Sequence, residues 1–309
     1  MTIQDFVTQA RASKFINEKR FGDISSFNFS RKAFYDSRWD EYTMKARGLF
    51  INTRTNQIVA RGYDKFFNLG ENQFTSEETL KKNLVYPLHV YQKENGYLGL
   101  ISLDHDKDDF FFATKSMCDQ NSYVNVLKDI FLSTVDTTAV MNYLKENASS
   151  LIVEVISPWF DPHIIEYNED HLVLLDIVQN TIDYSPVPYS DLCHCAHKFF
   201  IPVKAYKTCL HYWEEVEALI QYASDPSLNI EGFVIEDACG FHFKLKTAYY
   251  KKWKKYRWQS DKVLFGLMPP GDDAFLNWCL QNDDIYGLRC KSIIERRNEY
   301  ERWQAFYSA

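Results

Sequence analysis

The chain has 309 residues, of which 46% are hydrophobic, 16% aromatic and 25% charged, and its formal net charge is −7. This composition predicts a globular protein, and it argues against a disordered chain and against a protein coated in nucleic acid, while leaving room for one local basic groove. The lack of a long apolar run or a signal-peptide pattern, together with seven irregularly spaced cysteines, predicts an intracellular protein (cytoplasmic, nuclear or viral) that is neither secreted nor membrane-bound.

The hydrophobic pattern predicts an α+β fold. Phe6, Val7, Ala10, Phe15 and Ile16 recur near the 3.6-residue period, so we expect a helix over about residues 5–20. A hairpin follows, with strands at 49–52 and 57–61 around a polar turn. Further strands are predicted at 88–92, 97–103, 110–114, 151–156, 171–177, 232–235 and 241–245, and helices at 124–132, 138–146 and 213–223.

From Tyr249 onward the pattern becomes helical. Helices are predicted at 249–258, 273–281 and 290–306, and Pro269-Pro270-Gly271 forms a break between them. We therefore expect a larger α+β domain over residues 1–250 and a small helical C-terminal extension over residues 251–309.

Lys93 ends one predicted strand and precedes Glu94-Asn95-Gly96. An Asn-Gly pair favours a tight turn with positive φ. A lysine that is fixed there, partly desolvated and near other cations can have a pKa low enough for its amine to act as a nucleophile. On its own, however, the tetrapeptide is more typical of a solvated turn lysine.

Lys244 and Lys246 alternate with Phe243 and Leu245. On a strand, both ammonium groups project from one face while the apolar residues enter the core. Two cations on one face favour an anionic partner such as a triphosphate. A lysine-protected edge strand explains the pair equally well.

Glu154 and Glu231 lie in strongly apolar, strand-like runs. Burying a carboxylate is costly without a partner, so each is expected to contact a lysine, a metal ion or a ribose hydroxyl. A structural ion pair with an arginine is an equally good explanation.

The stretch from Lys244 to Arg257 contains seven lysines and arginines interleaved with aromatic residues. Phosphate neutralisation combined with aromatic stacking is typical of single-stranded nucleic-acid binding. Its candidate RNA-binding residues are Lys251, Lys252, Lys254 and Lys255. A solvated amphipathic helix is the alternative.

Cys193, His194, Cys195 and His197 form a cluster of the residue types that bind zinc. Their spacing does not match the usual Cys-x2-Cys pairs, so the pattern favours packed or loop residues over a zinc site.

Taken together, these motifs resemble those of ATP-dependent RNA ligases of the covalent nucleotidyltransferase superfamily, in particular the bacteriophage RNA ligase 1 type and the ligase domain of fungal tRNA ligases. The resemblance covers about residues 45–250, and its Arg-Gly-x-x-Lys-Phe-Phe-Asn block is the part most specific to this group. The residues that carry it run, in order, Ala46-Arg47-Gly48-Leu49-Phe50, Arg61-Gly62-Tyr63-Asp64-Lys65-Phe66-Phe67-Asn68-Leu69-Gly70-Glu71, Lys93-Glu94-Asn95-Gly96, Phe112-Ala113-Thr114-Lys115-Ser116, Glu154-Val155-Ile156-Ser157-Pro158, Glu231-Gly232-Phe233-Val234 and Phe243-Lys244-Leu245-Lys246.

The resemblance implies a nucleotidyltransferase fold with ATP-grasp-like antiparallel sheets and flanking helices, and it implies a role for each matching residue. Lys93 would form a covalent lysyl–AMP bond. Glu154 would contact the ribose or hold metal-bound water, and Glu231 would position the metal, also through water. Arg47, Lys65 and Lys115 would bind the ATP phosphates, and Lys244 and Lys246 would hold the α-phosphate and the departing pyrophosphate.

The implied cofactors are ATP and Mg²⁺ or Mn²⁺, and the implied partner is RNA with 5′-phosphate and 3′-hydroxyl ends, tRNA included. We expect a monomer. We also expect it to act with separate end-healing enzymes, since the chain contains no Gly-x-x-x-x-Gly-Lys loop.

Two rival functions stay open: a GTP-dependent guanylyltransferase of the mRNA-capping type, and a non-catalytic RNA-binding module. The tail of about 60 residues after Lys246 leaves little room for the OB-fold of a capping enzyme. An RNA-binding module has no need for Lys93, Glu154 and Glu231 together.

Overall fold

The computed structural model describes residues 1–119 and 121–307 and confirms the α+β class. The helices are α1 (Ile3–Ala12), α2 (Arg31–Tyr35), α3 (Glu41–Lys45), α4 (Glu77–Asn83), α5 (Ser122–Thr134), α6 (Thr137–Glu146), α7 (Tyr189–Phe199), α8 (Trp213–Ala223), α9 (Ala248–Leu264), α10 (Ala274–Gln281), α11 (Ile285–Cys290) and α12 (Ile293–Tyr307). The strands are β1 (Ile16–Phe21), β2 (Ile24–Phe29), β3 (Leu49–Asn52), β4 (Gln57–Arg61), β5 (Phe67–Asn68), β6 (Leu88–Lys93), β7 (Tyr97–Asp104), β8 (Asp109–Thr114), β9 (Ser149–Ile156), β10 (His171–Gln179), β11 (Tyr206–Leu210), β12 (Gly232–Glu236) and β13 (His242–Lys246).

The strands form three sheets. An N-terminal sheet has the strand order β1-β2-β3-β4. Two further sheets face each other across a cleft: a four-stranded cleft sheet of order β10-β9-β7-β8 and a five-stranded cleft sheet of order β11-β6-β12-β13-β5. Pairing is antiparallel except for the short contact of β13 with β5.

The first predicted helix is too long. α1 ends at Ala12, because Ser13 is extended, and Ile16 begins β1 opposite Phe29 of β2. Ile16 is buried in the same core cluster as Phe6, so it satisfies its hydrophobic periodicity as a strand residue. The predicted hairpin of β3 and β4 is confirmed.

The segment after Lys93 passes from one cleft sheet to the other. β6 belongs to the five-stranded sheet and β7 to the four-stranded sheet, so residues 94–96 cross the seam between them. The expected tight turn is wrong, since neither Asn95 nor Gly96 has a positive φ. Glycine is required here for a different reason: a Cβ at Gly96 would overlap the carbonyl oxygen of Val155.

Helices cover the outer face of each cleft sheet. Leu127 and Phe131 of α5 pack with Leu151 and Val153 of β9. Trp213 and Val216 of α8 pack with Leu88 and Val90 of β6 and with Phe243 and Leu245 of β13. The predicted alternation on β13 is therefore confirmed, and this strand lies between β12 and β5 rather than at an edge.

Four helices end the described chain. α9 starts two positions after β13 and runs across residue 250, beyond the end predicted for it. The predicted helix at 290–306 corresponds to α12, and α11 gave no signal in the sequence. A core cluster joins these helices to Ile164 and Ile165, which lie in the connection after β9. The division at residue 250 stays a prediction.

A search of residues 1–119 and 121–307 for a helix with the length and apolar character of a membrane span finds none. The seven cysteines all lie in this part of the chain as free thiols.

Candidate active site

Lys93 lies at the seam between the cleft sheets, where carboxylates surround its ammonium. Nζ is 3.2 Å from Glu231 Oε2 and 4.0 Å from Glu154 Oε1, and it donates a 3.0 Å hydrogen bond to the Glu94 carbonyl oxygen. The second oxygen of Glu231 lies 3.1 Å from Lys246 Nζ. Both glutamates are buried. Four residues predicted from separate motifs therefore meet at one place.

Strand register explains this convergence. In the five-stranded cleft sheet, three rows of paired residues face the cleft: a first row of Lys93, Gly232 and Lys246, a second row of Tyr91, Val234 and Lys244, and a third row of His89, Glu236 and His242. Gly232 has a φ of 152°, and a Cβ there would overlap the Leu245 carbonyl oxygen. Glycine is therefore required at this position, because it allows both the positive φ and the close approach of the β13 backbone between the two lysines of the first row.

The electrostatics of Lys93 differ from the sequence-based expectation. Burial alone would lower the pKa of Lys93, but Glu231 and Glu154 outweigh it and hold that pKa above its usual value. Burial also opposes ionisation of Glu231, yet Lys93 and Lys246 keep the pKa of this carboxyl below its usual value. Burial raises the pKa of Glu154. The expected low pKa of Lys93 is wrong for this arrangement, because two carboxylates stabilise its charge.

Asn95 holds the site together, although its sequence context indicates only a turn. Its Nδ2 donates a 2.8 Å hydrogen bond to Glu231 Oε2, and its Oδ1 accepts 3.0 Å hydrogen bonds from the backbone amides of Ile164 and Ile165. The Ile164 carbonyl in turn accepts a 3.0 Å hydrogen bond from Arg297 Nη1. A connected set of hydrogen bonds thus runs from Glu231 to α12.

Gly96 fixes the second carboxylate. Its backbone amide donates a 2.9 Å hydrogen bond to Glu154 Oε1. Both glutamates are therefore oriented by the short segment that follows Lys93.

A group of cations lies beside this centre. Burial, together with nearby Arg47, lowers the pKa of Lys115 to about 8. Burial lowers the pKa of Lys65 to about 8 despite Glu71, with Arg47 and Lys115 adding to the effect. Lys244 has a pKa well below its usual value, through burial and through Arg47, Lys65 and Lys93. Mutually repelling, desolvated cations of this kind favour binding of a polyanion.

A cavity of about 210 Å³ between the sheets is lined by Arg47, Lys93, Glu154 and Lys244. Arg47 Nη1 is buried there and has no hydrogen-bond partner among the described residues. Lys65 lines a neighbouring cavity instead, with its ammonium over the Phe67 ring. The cavity lining does not include Lys115, Lys246 or Glu231, although Glu231 contacts Lys93 and Lys246 contacts Glu231.

Sequence reasoning missed several residues of this cavity. Tyr91, Leu175 and Val234 supply apolar walls, and Lys204 and His242 supply polar ones. Val234 could have been found from its place two residues after Gly232. Lys204 stands alone in its segment and carries no recognisable signal.

A second, more open groove begins at the same lysines. It has a volume of about 700 Å³ and is lined by Lys244, Lys246, residues 68–71 and one face of α9. That face presents Lys251, Lys254, Lys255 and Trp258. Lys252 does not line the groove and lies beside Trp253 on another side of the helix.

The aromatic residues of α9 differ from the expectation. Tyr250 and Trp253 are buried, and Tyr249 and Tyr256 pack against the same core cluster. They form the packing face of the helix and are not available to stack on bases. Trp258 is 57% exposed and is the aromatic residue of α9 that reaches the groove.

The cysteine and histidine cluster lies on α7. Successive residues point about 100° apart around a helix, and Cys195 is buried in the core while His194 and His197 are exposed. Over residues 1–119 and 121–307, no group of three or more His, Cys, Asp or Glu side chains is arranged to hold a metal ion.

Comparison with known proteins shows which family has a similar sequence. A family model described as RNA ligase matches residues 45–250. A tRNA ligase of Candida albicans is 26% identical over 267 residues, which are 72% of this chain and 32% of that protein. The chain spans between 32% and 63% of the length of the curated relatives it matches.

Two solved structures have a similar fold. An archaeal ATP-dependent RNA ligase has a TM-score of 0.60 and 12% identity, over 96% of this chain and 74% of that chain. A mutant Naegleria gruberi RNA ligase with AMP and Mn has a TM-score of 0.50 and 17% identity, over 62% of this chain and 57% of that one.

Proposed function

Since the chain belongs to the RNA ligase family, we propose that it is an ATP-dependent RNA ligase joining RNA 3′-hydroxyl and 5′-phosphate ends through a covalent lysyl–AMP intermediate. One observation carries the proposal. Lys93 Nζ lies 3.2 Å from Glu231 Oε2 and 4.0 Å from Glu154 Oε1, at a cavity that Arg47 and Lys244 also line. This arrangement supports the proposal, because an amine beside these cations can act as a nucleophile towards a bound triphosphate.

In the first step, the neutral amine of Lys93 attacks the α-phosphorus of ATP. A P–N bond forms and the nitrogen loses a proton to water, while the bond between the α-phosphorus and the bridging oxygen breaks and pyrophosphate leaves. Lys244 and Lys246 stabilise the negative charge that develops on the α-phosphate and on the leaving group. Arg47, Lys65 and Lys115 bind the outer phosphates.

In the second step, an oxygen of the RNA 5′-phosphate attacks the AMP phosphorus, and Lys93 leaves as the amine. The product is an RNA–adenylate with a 5′–5′ pyrophosphate bond. In the third step, an RNA 3′-hydroxyl attacks the 5′-phosphorus of that adenylate, loses its proton and displaces AMP. Each step is an in-line displacement at phosphorus, so Lys244 and Lys246 can stabilise the developing negative charge in all three.

A divalent cation fits the donor set near Lys93. Glu154 and Glu231 supply carboxylate oxygens, which Mg²⁺ and Mn²⁺ prefer, and Mg²⁺ usually combines one or two carboxylates with water and phosphate oxygens. When bound, the ion would neutralise the charges that hold the pKa of Lys93 high. The Naegleria gruberi RNA ligase with AMP and Mn supports this assignment.

We infer that the two cleft sheets form the ATP-grasp-like nucleotidyltransferase core, and that α9–α12 form a C-terminal unit that begins near residue 251. The groove along α9 would bind the RNA backbone through Lys251, Lys254 and Lys255. The tRNA ligase relative supports a tRNA substrate. Monomeric action with separate end-healing enzymes and an intracellular location stay predictions.

One experiment distinguishes the three candidate functions. The protein is incubated with Mg²⁺ and α-³²P-labelled ATP or GTP, denatured and separated by electrophoresis. Covalent label from ATP supports the ligase. Label from GTP alone indicates a guanylyltransferase, and no label indicates an RNA-binding module. Sealing of a 5′-phosphorylated RNA by the labelled enzyme, with release of AMP, then separates ligation from adenylylation alone.

A further inference from the structure

Lys204 lies at the far end of the cavity from Lys93, and the backbone holds it there firmly. The segment before it runs along β10: Leu174 N donates a 2.7 Å hydrogen bond to the Pro202 carbonyl, and Lys204 N donates a 2.8 Å hydrogen bond to the Leu174 carbonyl. The Lys204 side chain is 10% exposed and lines the cavity. A buried ammonium group is thereby fixed against the cleft.

The hydrogen-bonding capacity of this end of the cavity is not filled. Lys204 Nζ lies 3.5 Å from Asp176 Oδ2 and 4.0 Å from Glu236 Oε2, longer than the roughly 2.7–2.9 Å of a charge-assisted hydrogen bond. His242 Nε2 is buried and lies 3.5 Å from Glu236 Oε2, an ion-pair distance without hydrogen-bond geometry among the described residues. Buried polar groups are normally satisfied, so loosely paired ones facing a cavity favour a polar ligand.

The strand rows indicate which part of a nucleotide reaches this end. Neighbouring rows are two residues apart, so the third row lies roughly 13 Å from the first along the strands. A nucleotide with its α-phosphate at Lys93 would place its base over Tyr91 and Val234. The base edge furthest from the ribose, which carries N1 and C6 of a purine, would then face Lys204.

We propose that Lys204 selects ATP by donating a hydrogen bond to N1 of adenine. This inference rests on the proposed function of the same site. Adenine N1 is an acceptor and matches the ammonium in this position, whereas guanine carries a hydrogen on N1 and offers Lys204 only its O6, one ring position away. GTP is therefore disfavoured because its base must shift before O6 can accept the hydrogen bond, and because its N1–H otherwise faces the ammonium.

The test compares ATP, GTP and 1-deaza-ATP, in which a C–H replaces N1, as substrates for lysyl–AMP or lysyl–GMP formation. Wild-type protein should use 1-deaza-ATP roughly tenfold to a hundredfold less efficiently than ATP, the range expected for one hydrogen bond to a charged group. The Lys204→Met variant should use ATP less efficiently than wild-type protein by a similar factor. Its efficiency with 1-deaza-ATP should be little lower than that of wild-type protein, and its preference for ATP over GTP should be smaller. Lys207→Met, at an exposed position on β11, is the matched control and should behave as wild type.

Two outcomes would overturn the inference. Equal use of ATP and 1-deaza-ATP by wild-type protein excludes a hydrogen bond to N1 without any variant. A Lys204→Met protein that loses the same factor with both nucleotides, with a lowered melting temperature, shows that Lys204 only supports the fold. If wild-type protein forms no adduct with ATP, the proposed function itself is contradicted. This outcome differs from the two above, in which the adduct forms but Lys204 does not select the base.

Discussion

Buried charges occur in two regions of the molecule, and the two regions satisfy them very differently. Among the C-terminal helices, Arg296 donates hydrogen bonds to the Leu288 carbonyl (2.8 Å), Ser260 Oγ (2.9 Å) and Asp261 Oδ1 (2.6 Å). In the cleft, Arg47 Nη1 has no partner within the described residues, and Lys244 lies over the Phe66 ring with its pKa strongly lowered.

The difference separates structural charges from ligand-binding charges. A buried arginine with complete hydrogen bonding has no capacity left for a ligand and contributes to stability. Buried cations that repel one another are unfavourable in the free protein and become favourable when a polyanion binds. Mutations in the cleft should therefore affect catalysis, while those at Arg296 should affect the free energy of unfolding.

The largest effect is expected at Lys93. Lys93→Ala and Lys93→Arg should both abolish covalent AMP capture, since alanine lacks the amine and arginine stays protonated. The measurement is formation of a labelled AMP adduct, with circular dichroism to confirm folding. An arginine variant that still forms an acid-stable, hydroxylamine-sensitive adduct would place the nucleophile elsewhere.

The next effect concerns the partners of Lys93. Glu231→Ala and Lys246→Ala should each slow adenylylation by at least ~100-fold, the scale for removing an electrostatic contact from a transition state. Rates are measured in single turnover at saturating ATP and Mg²⁺. A near-normal rate in either variant would show that the residue is structural. It would contradict the distinction between ligand-binding charges in the cleft and structural charges among the C-terminal helices.

A smaller effect, on stability, is expected at Arg296. Arg296→Ala should lower the free energy of unfolding by about 2–4 kcal/mol, because it leaves Ser260 Oγ and the Leu288 carbonyl without their donor. Urea denaturation measures this change. Arg302→Ala, on the exposed side of α12, is the matched control and should change stability by about 0.5 kcal/mol or less. A defect in adenylylation well below the melting temperature, without a stability loss, would contradict the structural role.

The smallest effect is expected in the groove. Replacing Lys251, Lys254 and Lys255 together by alanine should weaken single-stranded RNA binding about tenfold and reduce the slope of log affinity against log salt by about 2, as fewer counterions are released. The rates of the RNA-dependent steps should fall more than the rate of adenylylation. Lys252→Ala keeps the groove intact and should leave the slope unchanged. A larger loss of slope in Lys252→Ala than in the triple variant would place the RNA on the other side of α9.

The sequence predicted that Lys93, Glu154, Lys244 and Lys246 lie on strands, because their runs are short and apolar, and β13 also alternates clearly. It did not predict the direction of the Lys93 pKa shift, which depends on the distance to Glu231, just before β12. The role of Asn95 was also missed, since an Asn-Gly pair has the same local preference in a turn and in a crossing between sheets.

The N-terminal error has a similar physical origin. Phe15 and Ile16 fit a helical period, but the choice of strand is made by pairing of Ile16 with Phe29, which no local pattern contains. Lys204 reaches the cavity only because its segment runs along β10. Contacts of this kind arise from the tertiary fold rather than from local preference.

The hydrogen bonds that join Glu231, Asn95, Ile164 and Arg297 have a consequence for folding. They connect residues 136, 69 and 133 positions apart in the chain. Contacts so distant in sequence carry a large loop-closure entropy and form late. We therefore expect the catalytic segment to reach its final structure, and with it the ability to react with ATP, only after α12 has docked. Pulse-labelling hydrogen exchange at Asn95 and Gly96 during refolding would show protection there appearing together with that of α12.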